Sequence, residues 1–213
     1  MPIRPRIILL LGLVAFGWSV PAEANLILSF DQPTYTIGGV GRTGQVNVLV
    51  SQVAGGPQVG PGNGLLTAAI KVTFDNPAGV AAVLSPGNVR GGPAFDSSSA
   101  GVTTTTATLA EASLLGISNL SSPLLLGTFT FTGLSVGRTT ISVAQLDPAT
   151  PDFITTQGNV LDPTNTATAT ITVLPELSAL ALDLTGITLL LGGWAVRAAG
   201  GRGRGRPGPA QPR

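Results

Sequence analysis

Apolar and polar residues alternate with a period of two through most of the middle of the chain. Val46-Asn47-Val48-Leu49-Val50 places three valines on one face. Ile70, Val72 and Phe74 share a face across Lys71 and Thr73, and Phe129 and Phe131 flank Thr130. Ile141 with Val143 and Ile171 with Val173 repeat the arrangement. Successive side chains of a strand point to opposite faces, so this period predicts half-buried strands. Leu26–Phe30, Val80–Leu84 and the threonine-rich run Val102–Leu109 extend the set, the last through its β-branched residues. Gly, Pro, Asn and Asp separate the runs, as turns require. A short stretch at Glu111–Leu115 is the candidate for a helical turn. The expectation is an all-β, two-sheet sandwich of about 8–9 strands over residues 25–174, a length ample for one core.

The two ends break this pattern. Arg4 and Arg6 precede an apolar run from Ile7 to Trp18, Pro21 interrupts it, and Ala22-Glu23-Ala24 follows. A basic start, a short apolar core and a small-x-small site form the signature of a cleavable signal peptide. Residues 1–24 are therefore expected to be a signal helix that signal peptidase removes at Ala22 and Ala24, leaving Asn25 as the new N-terminus. At the other end, Pro175-Glu176-Leu177 opens a mostly apolar run to Val196, followed by Arg197 and a Gly/Arg tail. A run of this length suits a membrane helix, and the arginines would keep its far end cytoplasmic. Asp183 opposes insertion, but it lies near the outer end rather than at the centre, where an acid costs about 2.5–3.5 kcal/mol. An amphipathic helix packed on the domain is the alternative, although its apolar residues surround the helix instead of forming one stripe. Residues 200–213 are expected to be a disordered basic tail.

Charge and composition remove several functions. The chain contains no Cys and no His, which excludes disulfides, thiolate nucleophiles, histidine bases and Cys/His metal sites. The net charge of +1 originates at the ends. Between residues 25 and 174 the acids Asp31, Asp75, Asp96, Glu111, Asp147, Asp152 and Asp162 outnumber Arg42, Lys71, Arg90 and Arg138. The basic pI thus gives no reason to expect nucleic-acid binding by the folded part. The Arg-Gly tail lacks the interleaved aromatics of single-strand binders and follows an apolar run, so topological anchoring explains it.

Carboxylates are left as the carriers of any chemistry. Asp147, Asp152 and Asp162 lie close together in a loop-rich stretch and are the candidates for a Ca²⁺ site. They lack Asp-x-Asp-x-Asp spacing, and the Asp-Pro pairs at 147 and 162 suit solvated turns equally well. A glycan hydrolase would need two carboxylates facing each other. No other cofactor is expected. For sugar stacking, Tyr35 and Phe95 are the aromatics near loops, while Trp18 and Trp194 fall in the apolar end segments.

Two resemblances follow from these residues. Pro175-Glu176, an apolar helix and an Arg cluster, together with a signal peptide, resemble the PEP-CTERM sorting signal of Gram-negative bacteria. The resemblance implies that a membrane enzyme, exosortase, recognises Pro175, Glu176 and Leu177 and cleaves near them. Residues 175–199 would then form a transient anchor, with Arg197, Arg202, Arg204 and Arg206 as the stop-transfer patch. This chain departs from the family pattern in having Leu177 where Pro is usual and in its longer tail. The middle resembles cohesin-like modules, jelly-roll sandwiches related to carbohydrate-binding modules. The matching features are Gly44-Gln45-Val46-Asn47-Val48-Leu49-Val50, the turn Phe74-Asp75-Asn76-Pro77, Gly127-Thr128-Phe129-Thr130-Phe131 and Gly137-Arg138-Thr139-Thr140-Ile141-Ser142-Val143. Together they imply a non-catalytic exported protein at the cell surface or in the extracellular matrix, binding a polysaccharide or a protein partner. A permanently anchored binding module and an exported carboxylate-dependent glycan hydrolase are the alternatives.

Overall fold

A computed structural model describes residues 26–53, 59–75, 79–120 and 122–176. These residues form a sandwich of two β-sheets. The smaller sheet is ordered β1 (Leu26–Phe30), β3 (Thr43–Gln52), β9 (Leu124–Gly133) and β5 (Ala81–Ala82), with β6 (Val89–Gly91) also paired to β9. The larger is ordered β2 (Thr34–Ile37), β12 (Ala167–Val173), β10 (Gly137–Gln145), β4 (Leu65–Asp75), β8 (Thr106–Ile117) and β7 (Ser97–Val102), with β11 (Ile154–Thr155) also paired to β4. β2 runs parallel to β12, whereas the other strand pairs among the described residues are antiparallel.

The alternation read from the sequence becomes the core. Val46, Val48 and Val50 of β3 in the smaller sheet and Ile70, Val72 and Phe74 of β4 in the larger are all buried in the core. Phe74 meets Phe131 of the opposite sheet edge to face, with centroids 5.1 Å apart. Such a pair contributes about 0.5–1.5 kcal/mol beyond its buried area. The packing ties the two sheets together within the core.

Several stretches differ from expectation. The threonine-rich run Val102–Leu109 is a hairpin rather than one strand, because Thr103 Oγ1 accepts the N–H groups of Thr105 and Thr106 and turns the chain. Glu111–Leu115 is strand, not helix, and its Glu111 and Ala112 pair with β4 and β7. The register of β8 jumps there: Thr67 opposes Ala112, but Leu65 opposes Ile117. The extra residues loop out as a bulge that carries Leu114 and Leu115 into solvent. The short strands β2, β6 and β11 also lie outside the expected set. The expected signal helix and C-terminal membrane helix fall on residues outside the described ones, as does the Asn76-Pro77 turn. Among the described residues no helix is long and apolar enough to cross a membrane.

Side chains hold the chain where strand pairing cannot. Asn165 Oδ1 accepts the N–H of Leu28 and its Nδ2 donates to the same residue's carbonyl, at 2.9 and 2.7 Å. This one amide stands in for a neighbouring strand beside β1 and blunts a free sheet edge. Where the chain passes from β1 to β2, Thr128 donates to Asn47, Asn47 to Asp31 Oδ2, and Tyr35 to Asp31 Oδ1.

Candidate functional site

The loop between β10 and β12 brings Asp147, Asp152 and Asp162 together, as their sequence spacing suggests. Phe153 and Leu161, both almost fully buried, plug the loop into the core, and Leu161 N–H bonds Phe153 O at 2.9 Å. Asp152 is buried, Asp162 half-buried and Asp147 exposed, and each turns an oxygen onto the loop's backbone. Asp162 Oδ1 accepts the N–H groups of Asp152 and Phe153 at 2.9 and 2.8 Å. Asp152 Oδ2 accepts the N–H of Asp147 at 2.7 Å, and Asp147 Oδ1 that of Ala149 at 3.0 Å. Asp152 is buried, which raises its pKa; the Asp162 carboxylate adds to the rise and the Asp147 N–H opposes it.

These oxygens are committed to the loop's own backbone. Among the described residues no group of three His, Cys, Asp or Glu side chains is placed to hold a metal ion. Asp162→Ala, which strips two N–H groups of their acceptor, is expected to cost about 2 kcal/mol. Thermal melts with and without Ca²⁺ check this: the same loss in both marks a structural carboxylate, and a loss seen only with Ca²⁺ marks a ligand.

The aromatic candidates for sugar stacking are not presented as platforms. Tyr35 is buried, its ring meets Phe30 edge-on at 6.5 Å, and its hydroxyl donates to Asp31. Burial, aided by that bond, raises its pKa. Phe95 is half-buried against the core. Tyr35 therefore serves the crossover between the sheets.

Of the expected sorting residues, Pro175 and Glu176 are described and exposed, immediately after β12. Ala22, Ala24, Leu177, Arg197, Arg202, Arg204 and Arg206 lie outside the described residues.

Glu111 is the feature that sequence reasoning missed. It points into the sandwich between β6 and β8, and only 5% of it is exposed. Its Oε1 accepts the Gly92 N–H at 2.6 Å, while Oε2 is buried without a partner. Burial pushes its pKa up to about 8, against the opposing effect of the Gly92 N–H. The signal for it in the sequence is its inward register, two residues beyond Leu109.

No protein-family model matches the chain, and no curated protein matches it. Among solved structures with a similar fold are cohesin modules. One is the sixth cohesin of scaffoldin B from Acetivibrio cellulolyticus, solved in complex with a Cel5 dockerin variant. It is 15% identical, covers 71% of this chain and 99% of its own, and has a TM-score of 0.48. A type III cohesin from the cell-surface anchoring scaffoldin ScaE of Ruminococcus flavefaciens is 13% identical over 73% of this chain and 89% of its own, with a TM-score of 0.48. A non-cellulosomal cohesin of Archaeoglobus fulgidus is 14% identical over 74% and 97%, with a TM-score of 0.45. At such identities and TM-scores the likeness carries no statement about partner or chemistry.

Proposed function

We propose that this chain is an exported, non-catalytic β-sandwich module that a sorting enzyme of the exosortase type delivers to the cell surface or extracellular matrix. There it acts as an adhesive or structural component, binding a protein partner or a polysaccharide. The observation that carries this reading is the position of Pro175-Glu176. Val173 is buried as the last residue of β12, and Leu174 N–H still bonds Ile37 O at 2.9 Å. The next two residues are exposed. The motif thus sits at the edge of the fold, where an enzyme can reach it and where cleavage would leave every core strand intact. The absence of His and Cys and the use of the loop carboxylates to brace backbone support a non-catalytic role.

Mass spectrometry of the secreted protein tests the proposal. The expected mature form begins at Asn25 and ends near Glu176. A chain that retains Arg213 and fractionates with membranes would overturn sorting and leave a permanently anchored module.

A further inference from the structure

Hydrogen-bond parity decides which backbone groups of β7 are free. In an antiparallel pair alternate residues bond the neighbouring strand, and the residues between them point away from it. Phe74 N–H bonds Thr105 O, so the odd-numbered residues of β8 bond β4 and its even-numbered residues bond β7. Thr103 N–H bonds Thr106 O, in agreement, and Ser97, Ser99 and Gly101 therefore direct their backbone groups to β8. The N–H and C=O groups of Ser98, Ala100 and Val102 point to the outer edge, where no described residue bonds them. The other sheet margins are closed. Asn165 caps β1, and β2 has four residues after Pro33. β5 and β6 have two and three residues, with a 3₁₀ turn at Pro86–Asn88 between them. β7 has six residues without a charge, a proline or a shift in its register with β8. It lacks the devices that keep sheet edges from pairing.

We infer that β7 pairs edge to edge with β7 of a second copy of this chain, antiparallel and about a twofold axis at Ala100. The inference does not depend on how the chain ends are processed. The free groups recur at every second residue and are symmetric about Ala100, so the edge is complementary to itself. In that register Ala100 bonds its counterpart in both directions, and Ser98 exchanges bonds with the second copy's Val102, so every free group of both edges is satisfied. The side chains permit it. Ser98 lies on the inner face beside Gly91, so Ser97, Ser99 and Gly101 take the outer face, where Ser99 meets the second copy's Gly101 and Ser97 its Thr103. These are small and uncharged. Asp96, the charge next to the strand, falls opposite Thr104, and its Oδ2 is held by the Leu114 N–H at 2.7 Å. The two Asp96 carboxylates therefore lie at opposite ends of the seam. Both copies offer the same strand, so the pairing is isologous, and with the other margins closed it stops at two chains. Edge pairing buries little surface, which makes the dimer weak and concentration-dependent.

Sedimentation equilibrium of the full chain in a mild detergent tests this. The average mass is expected to climb from one chain toward two as protein concentration rises. Ala100→Pro removes an N–H that nothing in the single chain uses, and proline is tolerated on the open side of an edge strand. That variant is expected to stay at one chain with an unchanged thermal melt. Should it fail to fold, Ser99→Lys, on the exposed outer face, brings two ammonium groups together across the seam; the same loss is expected, relieved by salt. The natural absence of Cys allows a check of register. Ala100→Cys should oxidise to a covalent dimer, because directly paired Cα atoms lie about 5.5 Å apart, within disulfide reach. Ser97→Cys should not, since its counterpart lies about 20 Å along the seam. A chain that stays single at every concentration overturns the inference and leaves the edge to a strand from another protein. A dimer that survives both Ala100→Pro and Ser99→Lys, or that cross-links equally at 97 and 100, is built on another surface and also overturns it.

Discussion

Replacing Gly92 with alanine is expected to destabilise the fold by about 3–5 kcal/mol, from overpacking plus loss of a buried hydrogen bond. A Cβ at this position would lie 2.0 Å from the Leu125 carbonyl oxygen and 3.0 Å from that of Leu126. Both are backbone atoms of β9, whose other side is paired to β3 at Leu49 and Val50. Neither can retreat as the tip of a flexible side chain would. The Gly92 N–H also donates to Leu126 O at 2.7 Å and to Glu111 Oε1 at 2.6 Å. Moving residue 92 outward therefore breaks both bonds and leaves a buried carboxyl without its donor. Urea unfolding provides the measurement, read as a fall in midpoint at unchanged slope. Gly38→Ala, where a Cβ meets nothing within 4 Å, is the control and is expected to change stability by less than about 0.5 kcal/mol. Equal losses at the two sites would refute this account of the seam.

How far the fold can be read in the sequence depends on how long each element is and on what fixes it. β3, β4, β9, β10 and β12 are legible because each buries a face of three or more alternating residues, and a slip of one residue would turn that whole face outward. β6 and β11 are three and two residues long, too short to express a period. β2 is short as well, and its Tyr35 reads as a loop aromatic until the crossover places it beside Asp31. The threonine run misleads because β-branched residues favour strands on both sides of a turn, while the turn is closed by the Thr103 N–H bonding Thr106 O and by the Thr103 hydroxyl accepting the N–H groups of Thr105 and Thr106. Glu111–Leu115 misleads for another reason. Its Glu, Ala and Leu residues are good helix formers, but the leucines belong to a bulge, and its acid is buried against the usual habit of carboxylates. At the loop site, the proximity of Asp147, Asp152 and Asp162 was readable. The direction in which their oxygens point was not, because it depends on Phe153 and Leu161 seating the loop in the core.

Stability is expected to fall as pH rises from about 4.5 to about 8, and Glu111→Gln is expected to remove most of that fall. An unfolded Glu111 ionises near its ordinary value of 4.5, whereas in the fold burial holds the proton up to about 8. Between those values the native state binds one more proton than the unfolded state, so the slope of unfolding free energy against pH is negative. The contribution is fully present below pH 4.5, is lost through the folded pKa, and is level above it. Asp152, raised chiefly by burial, adds a fall of the same sign beginning in the ordinary carboxylate range. One pKa unit is worth about 1.4 kcal/mol, but Glu111 lies where β6 and β8 meet near a sheet edge, and relaxation and water entry reduce the penalty on the charge. A decline of about 2–3 kcal/mol attributable to Glu111 by pH 9 is therefore expected. The glutamine retains an oxygen to accept the Gly92 N–H and cannot ionise. Its amide N–H₂ takes the place of Oε2, which has no partner, so the variant should lie at or slightly below the parent at pH 5 and above it at pH 9. Urea midpoints of both proteins from pH 5 to 9 would decide the matter. Curves that stay parallel across that range would mean that Glu111 is ionised in the fold at neutral pH, and that the unpartnered Oε2 finds a compensating donor.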